Sequence, residues 1–217
     1  MIRACGVSLE YEDHSKAVFA CAHVDLEVMP GEFLGVLGPS GSGKSSLLYL
    51  LSGLKLPTAG RVEYRGTNLS TMRDAERAAL RWGKFGFVFQ QPYLLGYLSA
   101  MENVTTGRPG TSVEEALERL DVLGLAEKAH RLPHELSGGE RQRVCVARAL
   151  VGDPEVVFAD EPTANLDHAK GFQVVDALQR NRGSGALVLV THDPAILGDA
   201  NRTVTMNDGR IVEDGGG

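Results

Sequence analysis

The run Gly38-Pro39-Ser40-Gly41-Ser42-Gly43-Lys44-Ser45 has the residue types and spacing of a phosphate-binding loop. Its glycines let successive backbone N–H groups turn inward around a polyphosphate. Lys44 can reach the β- and γ-phosphates, the Ser45 hydroxyl can ligate Mg²⁺, and Ser46 completes the set expected to touch the ligand. A nucleoside triphosphate with Mg²⁺ is the direct implication. The flanks agree: the apolar run at 33–37 reads as a buried strand entering the loop, and 44–54 reads as a helix leaving it. A Gly/Ser-rich turn that binds nothing would not need that order.

Three further apolar runs, at 85–89, 156–159 and 186–190, end on polar residues: Gln90, Asp160-Glu161 and His192. Uninterrupted apolar strands alternating with helices are the signature of a parallel sheet covered on both faces, and ligands bind at the C-terminal edge of such sheets. Each residue then has a role in phosphoanhydride hydrolysis. Asp160 would hold the Mg²⁺ shell, Glu161 would polarise an attacking water as general base, Gln90 would complete the metal or water shell, and His192 would touch the γ-phosphate or the water. Taken singly, a strand-end Gln or His is more often an ordinary packing or surface residue. Four at one edge are a pattern.

Ser137-Gly138-Gly139 opens a helical stretch and offers a second anion site through glycine amides and a serine hydroxyl, the alternative being an ordinary helix cap. If the two loops lie on separate lobes, one nucleotide cannot readily use both. A head-to-tail dimer, with each nucleotide between two subunits, solves this.

These groups need positioning elements. Residues 2–9 and 18–28 read as two antiparallel strands joined by a charged turn at 10–16, in which Tyr11 either stacks on a nucleobase or packs at a strand end. A strand is expected at 61–64 and a solvated helix at 72–81. From 99 to roughly 134 the β-branched runs give way to helical periodicity, and about 93–150 is read as an inserted helical lobe. Val113, Ala116, Leu117, Leu120 and Leu123 lie on one face, Ser112 and Glu115 form a capping box, and Gly124 is the stop. Helices follow at 141–151 and 167–180. A hairpin turns at Asp208-Gly209, and a disordered end is expected at 215–217.

The fold class expected is therefore α/β: a P-loop NTPase core with a mostly parallel sheet, an N-terminal antiparallel flank and the inserted lobe, all in one domain over 1–217. A net charge of −6 argues against a polyanion-binding surface over the whole molecule, and no nucleic acid is expected. Cys5, Cys21 and Cys145 sit in apolar or alternating segments and read as small reduced core residues, suited to a cytoplasm. No run approaches the ~20 apolar residues that span a bilayer, and the N-terminus lacks a signal-peptide pattern. Work at a membrane would require a partner.

The phosphate loop, Gln90 after Phe89, Leu-Ser-Gly-Gly-Glu at 136–140, the run ending at Glu161, Asn165-Leu166-Asp167 and Thr191-His192-Asp193 together resemble the ATP-binding-cassette ATPases over nearly the whole chain. By that resemblance the ligand is ATP with Mg²⁺. Tyr11 matches the adenine-stacking aromatic, and Ser45, Gln90 and Asp160 match the metal ligands. Glu161 matches the catalytic base, Asp167 the dimer-coupling loop and His192 the switch histidine. Ser137, Gly138 and Gly139 match the signature that binds the γ-phosphate of the nucleotide on the opposite subunit.

The family implies a homodimer around ATP that drives an integral membrane permease docked near the Gln90 loop, at the cytoplasmic face of the membrane. The sequences at 86–90, 101–104 and 160–167 resemble the branch serving macrolide exporters, lipoprotein release, antimicrobial-peptide detoxification and haem exporters, whose permeases have four membrane helices per subunit. Residues 132–135 and the compact end after 207–210 lean toward the haem exporters. The segment 104–136 departs from the pattern in being short by two turns or more. A regulatory ATPase controlling a cell-wall hydrolase without transport would use the same ATP site. A cassette acting on DNA or ribosomes would usually carry a coiled-coil insertion or a second cassette, and this sequence has neither.

Overall fold

The computed structural model describes residues 1–13 and 16–216; His14, Ser15 and Gly217, and with them part of the expected 10–16 turn, lie outside the described residues. In chain order the elements are β1 (Ile2–Asp13), β2 (Lys16–Val28), β3 (Phe33–Leu37), α1 (Lys44–Leu51), β4 (Ala59–Tyr64), β5 (Thr67–Asn68), α2 (Asp74–Lys84), β6 (Phe85–Val88), α3 (Ala100–Thr105), α4 (Val113–Val122), α5 (Gly138–Leu150), β7 (Val156–Asp160), α6 (His168–Asn181), β8 (Ala186–Thr191), β9 (Arg202–Asn207) and β10 (Arg210–Gly216). The chain forms two compact units, Met1–Arg81 with Val188–Gly217, and Trp82–Leu187.

In the first unit an antiparallel sheet runs in the order β2-β1-β4-β5. The strand read at 61–64 therefore joins the N-terminal flank, with Ile2 opposite Tyr64 and Ala4 opposite Val62. Tyr11 lies in β1, paired with Val18, rather than in a turn. A second layer sets β3 beside β9 in parallel register, Leu34 on Arg202 through Leu37 on Thr205, while β9 and β10 form the expected hairpin. Gly215 and Gly216 continue that pairing opposite Thr203 and Arg202, so the disorder expected there gives way to strand. Backbone pairing does not need side chains.

Helix α1 has eight residues, too few to stand alone in water. Tertiary packing stabilises it: Leu47, Leu48, Leu50 and Leu51 are fully buried, at ~1.5–3 kcal/mol each.

In the second unit β6 and β7 pair in parallel, Phe85 on Val156 through Val88 on Ala159. All five residues of β7 are buried, as its apolar run requires. Helix α5 approaches β6 closely at Gly86, where a Cβ would lie 2.1 Å from the Ala149 carbonyl oxygen. Helix α4 departs from expectation in two ways. Val113 is 47% exposed because it is the first helical residue and precedes the buried stripe of Ala116, Leu120 and Leu123. Ser112 accepts from the Glu115 N–H, but the Glu115 carboxylate accepts from the Gly152 N–H at 2.7 Å, so the reciprocal half of the capping box is not formed.

Candidate phosphate-binding and catalytic site

Backbone geometry builds the phosphate loop. Lys44 is buried, and its Nζ donates to the carbonyl oxygens of Gly38 at 2.8 Å and Pro39 at 3.0 Å, which holds the ammonium inside the loop. Ser42 N–H donates to Pro39 O, and Leu47 N–H to Gly43 O, so the chain passes from a turn straight into α1. Gly43 is the helix N-cap at φ 98°, a left-handed conformation that β-carbons resist. Neighbouring strands brace the loop from behind: a Cβ on Gly38 would lie 2.3 Å from Met206 O, and Gly209 N–H donates to Ser42 O at 3.0 Å.

The first turn of α1 carries no acidic residue, so its amide end is not neutralised from within. The Ser42 hydroxyl is buried without a hydrogen-bond partner among the described residues. A close-walled cradle of glycines, an orphaned hydroxyl and a buried ammonium fit a polyphosphate. Ser45 and Ser46 lie half-buried in the first turn of the helix.

Elsewhere in this unit, His192 is exposed just past β8, and its turn is fixed by Thr191 Oγ1 accepting from Asp193 N–H at 3.1 Å. Tyr11 is 39% exposed, with the Lys55 ammonium 4.6 Å from its ring centroid. Lys55 was not among the residues singled out from sequence.

In the second unit, the parallel pair β6–β7 releases Gln90 and Asp160-Glu161 from the same edge. Asp160 is buried at the end of β7, and Glu161 follows at φ 44°, a left-handed conformation costing a non-glycine residue ~1–3 kcal/mol. The Glu161 carbonyl accepts from Ala164 N–H at 3.2 Å, closing a tight turn. Asp167 caps α6 by accepting from Lys170 N–H at 3.0 Å, and the Lys170 side chain and amide hold its carboxyl below the usual range.

Ser137 caps α5 in a capping box with Glu140, and Gly138 is exposed beside it. Gly139 packs against Lys170 and Leu166, which sets the signature beside the Asp167 turn of the same chain. Asn165 Nδ2 donates to Gln90 O at 3.3 Å. A cavity of about 330 Å³ lies among Gln90, Gly138, Arg141, Gln142, Pro162 and Asn165.

The predicted residues thus fall in two sets, Tyr11, 38–46 and His192 in one unit, and Gln90, 137–139, Asp160, Glu161 and Asp167 in the other. Among the described residues no cluster of three or more His, Cys, Asp or Glu could hold a metal alone. A serine hydroxyl, a glutamine amide and one carboxylate suit Mg²⁺ when phosphate oxygens supply the remainder.

Beyond Gln90, the buried Asn103 fixes the loop at 95–99: its Oδ1 accepts from Leu95 N–H, and its Nδ2 donates to the carbonyls of Leu95, Leu98 and Ser99. That fixed loop leaves Tyr97 77% exposed, near Tyr93 in sequence at 68%.

Residues 21–164 match the family model described as ABC transporter. The chain belongs to the ABC transporter family. It is 45% identical to the lipoprotein-releasing system ATP-binding protein LolD of Aquifex aeolicus over 87% of this chain and 88% of that protein. It is 38% identical, over 98% of both chains, to an ABC transporter ATP-binding protein of Methanocaldococcus jannaschii. It is 40% identical over 99% of its length to the macrolide export ATP-binding/permease protein MacB of Chlorobaculum tepidum, of which it spans only 34%. Among solved structures it is similar to the ATP-binding cassette MJ0796, a dimer in a post-hydrolysis state with ADP and Pi bound, at TM-score 0.91 and 32% identity over 100% of this chain and 98% of that one.

The chain is accordingly an ABC ATPase domain of α/β P-loop architecture that binds ATP. No helix among the described residues is long and apolar enough to cross a membrane.

Proposed function

We propose that this ABC ATPase hydrolyses Mg-ATP within a head-to-tail homodimer and drives a membrane exporter from the cytoplasmic face. The observation that carries the chemistry is the phosphate loop, in which Gly38 and Gly43 admit no Cβ and Lys44 is held inside by two carbonyls. Lys44, the loop amides and Ser46 hold the phosphates, Tyr11 stacks on adenine, and Mg²⁺ offsets charge on them when bound. Ser45, Gln90 and Asp160 would hold that ion. Glu161 takes a proton from the attacking water, and His192 steadies the γ-phosphate. Ser137, Gly138 and Gly139 contact the nucleotide of the second copy, and Asp167 couples the two sites. The dimeric state of the similar solved cassettes supports this arrangement.

The exposed aromatics Tyr93 and Tyr97 are the docking surface for a permease with four membrane helices per subunit. Similarity to proteins named for macrolide export and lipoprotein release supports export, with cargo chosen by the permease; haem is not among those names.

The test is mild-detergent purification of tagged Glu161→Gln protein with Mg-ATP. A stoichiometric four-helix permease among the copurifying proteins is expected. Recovery of only soluble partners, ribosomes or nucleic acid would overturn the transport reading. A permease that moves nothing in reconstituted vesicles while a cell-wall hydrolase responds would favour the regulatory alternative.

A further inference from the structure

The signature helix α5 grips the segment that continues β6. Gln142, Cys145 and Arg148 are spaced three apart, so they follow one side of the helix. Each meets a main-chain carbonyl. Gln142 Nε2 donates to Phe89 O at 3.1 Å, and Cys145 Sγ donates to Pro92 O at 2.7 Å. Arg148 spreads its fork over two carbonyls, Pro92 O and Tyr93 O, each at 2.9 Å. With Asn165 on Gln90 O, the carbonyls of residues 89, 90, 92 and 93 all accept from side chains.

The gripped segment is strained. Tyr93 sits at φ 44°, a conformation that persists for a non-glycine residue only where its surroundings over-determine it. Arg148 on its carbonyl and the edge-on contact of its ring with Phe89, centroids 5.9 Å apart, supply that constraint. Burial pushes the Cys145 thiol up to about 12, so it keeps the proton it donates. The close approach at Gly86 fixes where the segment starts relative to α5.

We propose that Gln142, Cys145 and Arg148 are positioning residues for ATP hydrolysis, acting through Gln90 by holding residues 89–93 to the signature helix. This rests on the metal- and water-shell role given to Gln90 above. A lysine at 148 is a single flexible ammonium and cannot reproduce the planar two-carbonyl fork.

The experiment is a double-mutant cycle of Arg148→Lys and Gln90→Ala, read as kcat, KM for ATP and the Mg²⁺ dependence of turnover, with thermal melting as a check on folding. Arg148→Lys is expected to lower kcat by about 5- to 10-fold and to raise the Mg²⁺ concentration giving half-maximal rate, with KM for ATP within about 2-fold. In the Gln90→Ala background the same change should have no further effect. An equal fall in both backgrounds would overturn the proposal, as would a rise in KM at unchanged kcat.

If Arg148→Lys does not fold, Cys145→Ala takes its place in the cycle, and Cys145→Ser, which keeps a donor, should restore turnover; failure of that rescue counts against the proposal. Lys44→Ala in the same series separates the two levels. Wild-type turnover there would sink the ATPase site itself, whereas an inactive Lys44→Ala beside an additive cycle sinks only the positioning role.

Discussion

The α-carbon of Gly43 faces the carbonyl of Ala20 so closely that a Cβ there would lie 2.0 Å from the oxygen. Strand β2 thus forms the back wall of the phosphate loop. Gly43→Ala must move either the loop or the strand, and it adopts φ 98° at further cost. We expect ATP binding to fall by more than about 10-fold and the melting temperature to drop by several degrees. Gly138→Ala meets nothing within 4 Å and should leave stability within about 0.5 kcal/mol. In the proposed head-to-tail dimer, turnover lost by Gly138→Ala at unchanged stability is the expected sign of contact with the second copy's nucleotide. Calorimetric ATP binding and thermal melting of the two variants check this contrast.

Glu140 links the start of α5 to Lys128. The Lys128 ammonium, the largest cause, and the Ser137 N–H lower its carboxyl from the ordinary 4.5 to about 2. A depressed folded-state pKa contributes stability above the unfolded value and loses it as pH falls through the folded one. The stability difference between wild type and Glu140→Gln should be constant from pH 7 to about 5 and shrink between about 4.5 and 2. Urea unfolding across that range measures it. A difference that persists unchanged at pH 2.5 would contradict the ion-pair account.

Tyr97 is the most exposed aromatic of the segment after Gln90, held outward by the loop that Asn103 fixes. Tyr97→Ser should change stability by no more than about 0.5 kcal/mol and leave ATP hydrolysis by the isolated chain intact, because it removes surface area alone. Loss of the copurifying permease with that variant is the expected outcome. Asn103→Ala should lose the permease and stability together, since it leaves the carbonyls of Leu98 and Ser99 without the Nδ2 donor.

The phosphate loop was legible in sequence, because turning a chain around an anion restricts both residue type and spacing. Gly38, Gly43 and Lys44 lie where that logic requires, and β3 spans the residues expected of it. What escaped depends on long-range geometry. Glu115 reads as a capping partner for Ser112, yet Gly152, 37 positions away, takes its carboxylate. Gly215 and Gly216 look disordered by composition, but strand pairing with Thr203 and Arg202 extends through them. Cys145 reads as a small core residue. It is buried, but its donor role appears only once Pro92 is folded against it.

We propose that Glu161, fixed in a left-handed turn after the buried Asp160, is the base for hydrolysis of ATP bound at the Gly38–Ser45 loop. The most direct measurement is the steady-state rate of Mg-ATP hydrolysis by Glu161→Gln against wild type at saturating ATP, with ATP binding measured on the same samples. A fall of about 100-fold or more with binding retained is predicted. Turnover within about 2-fold of wild type would contradict the account.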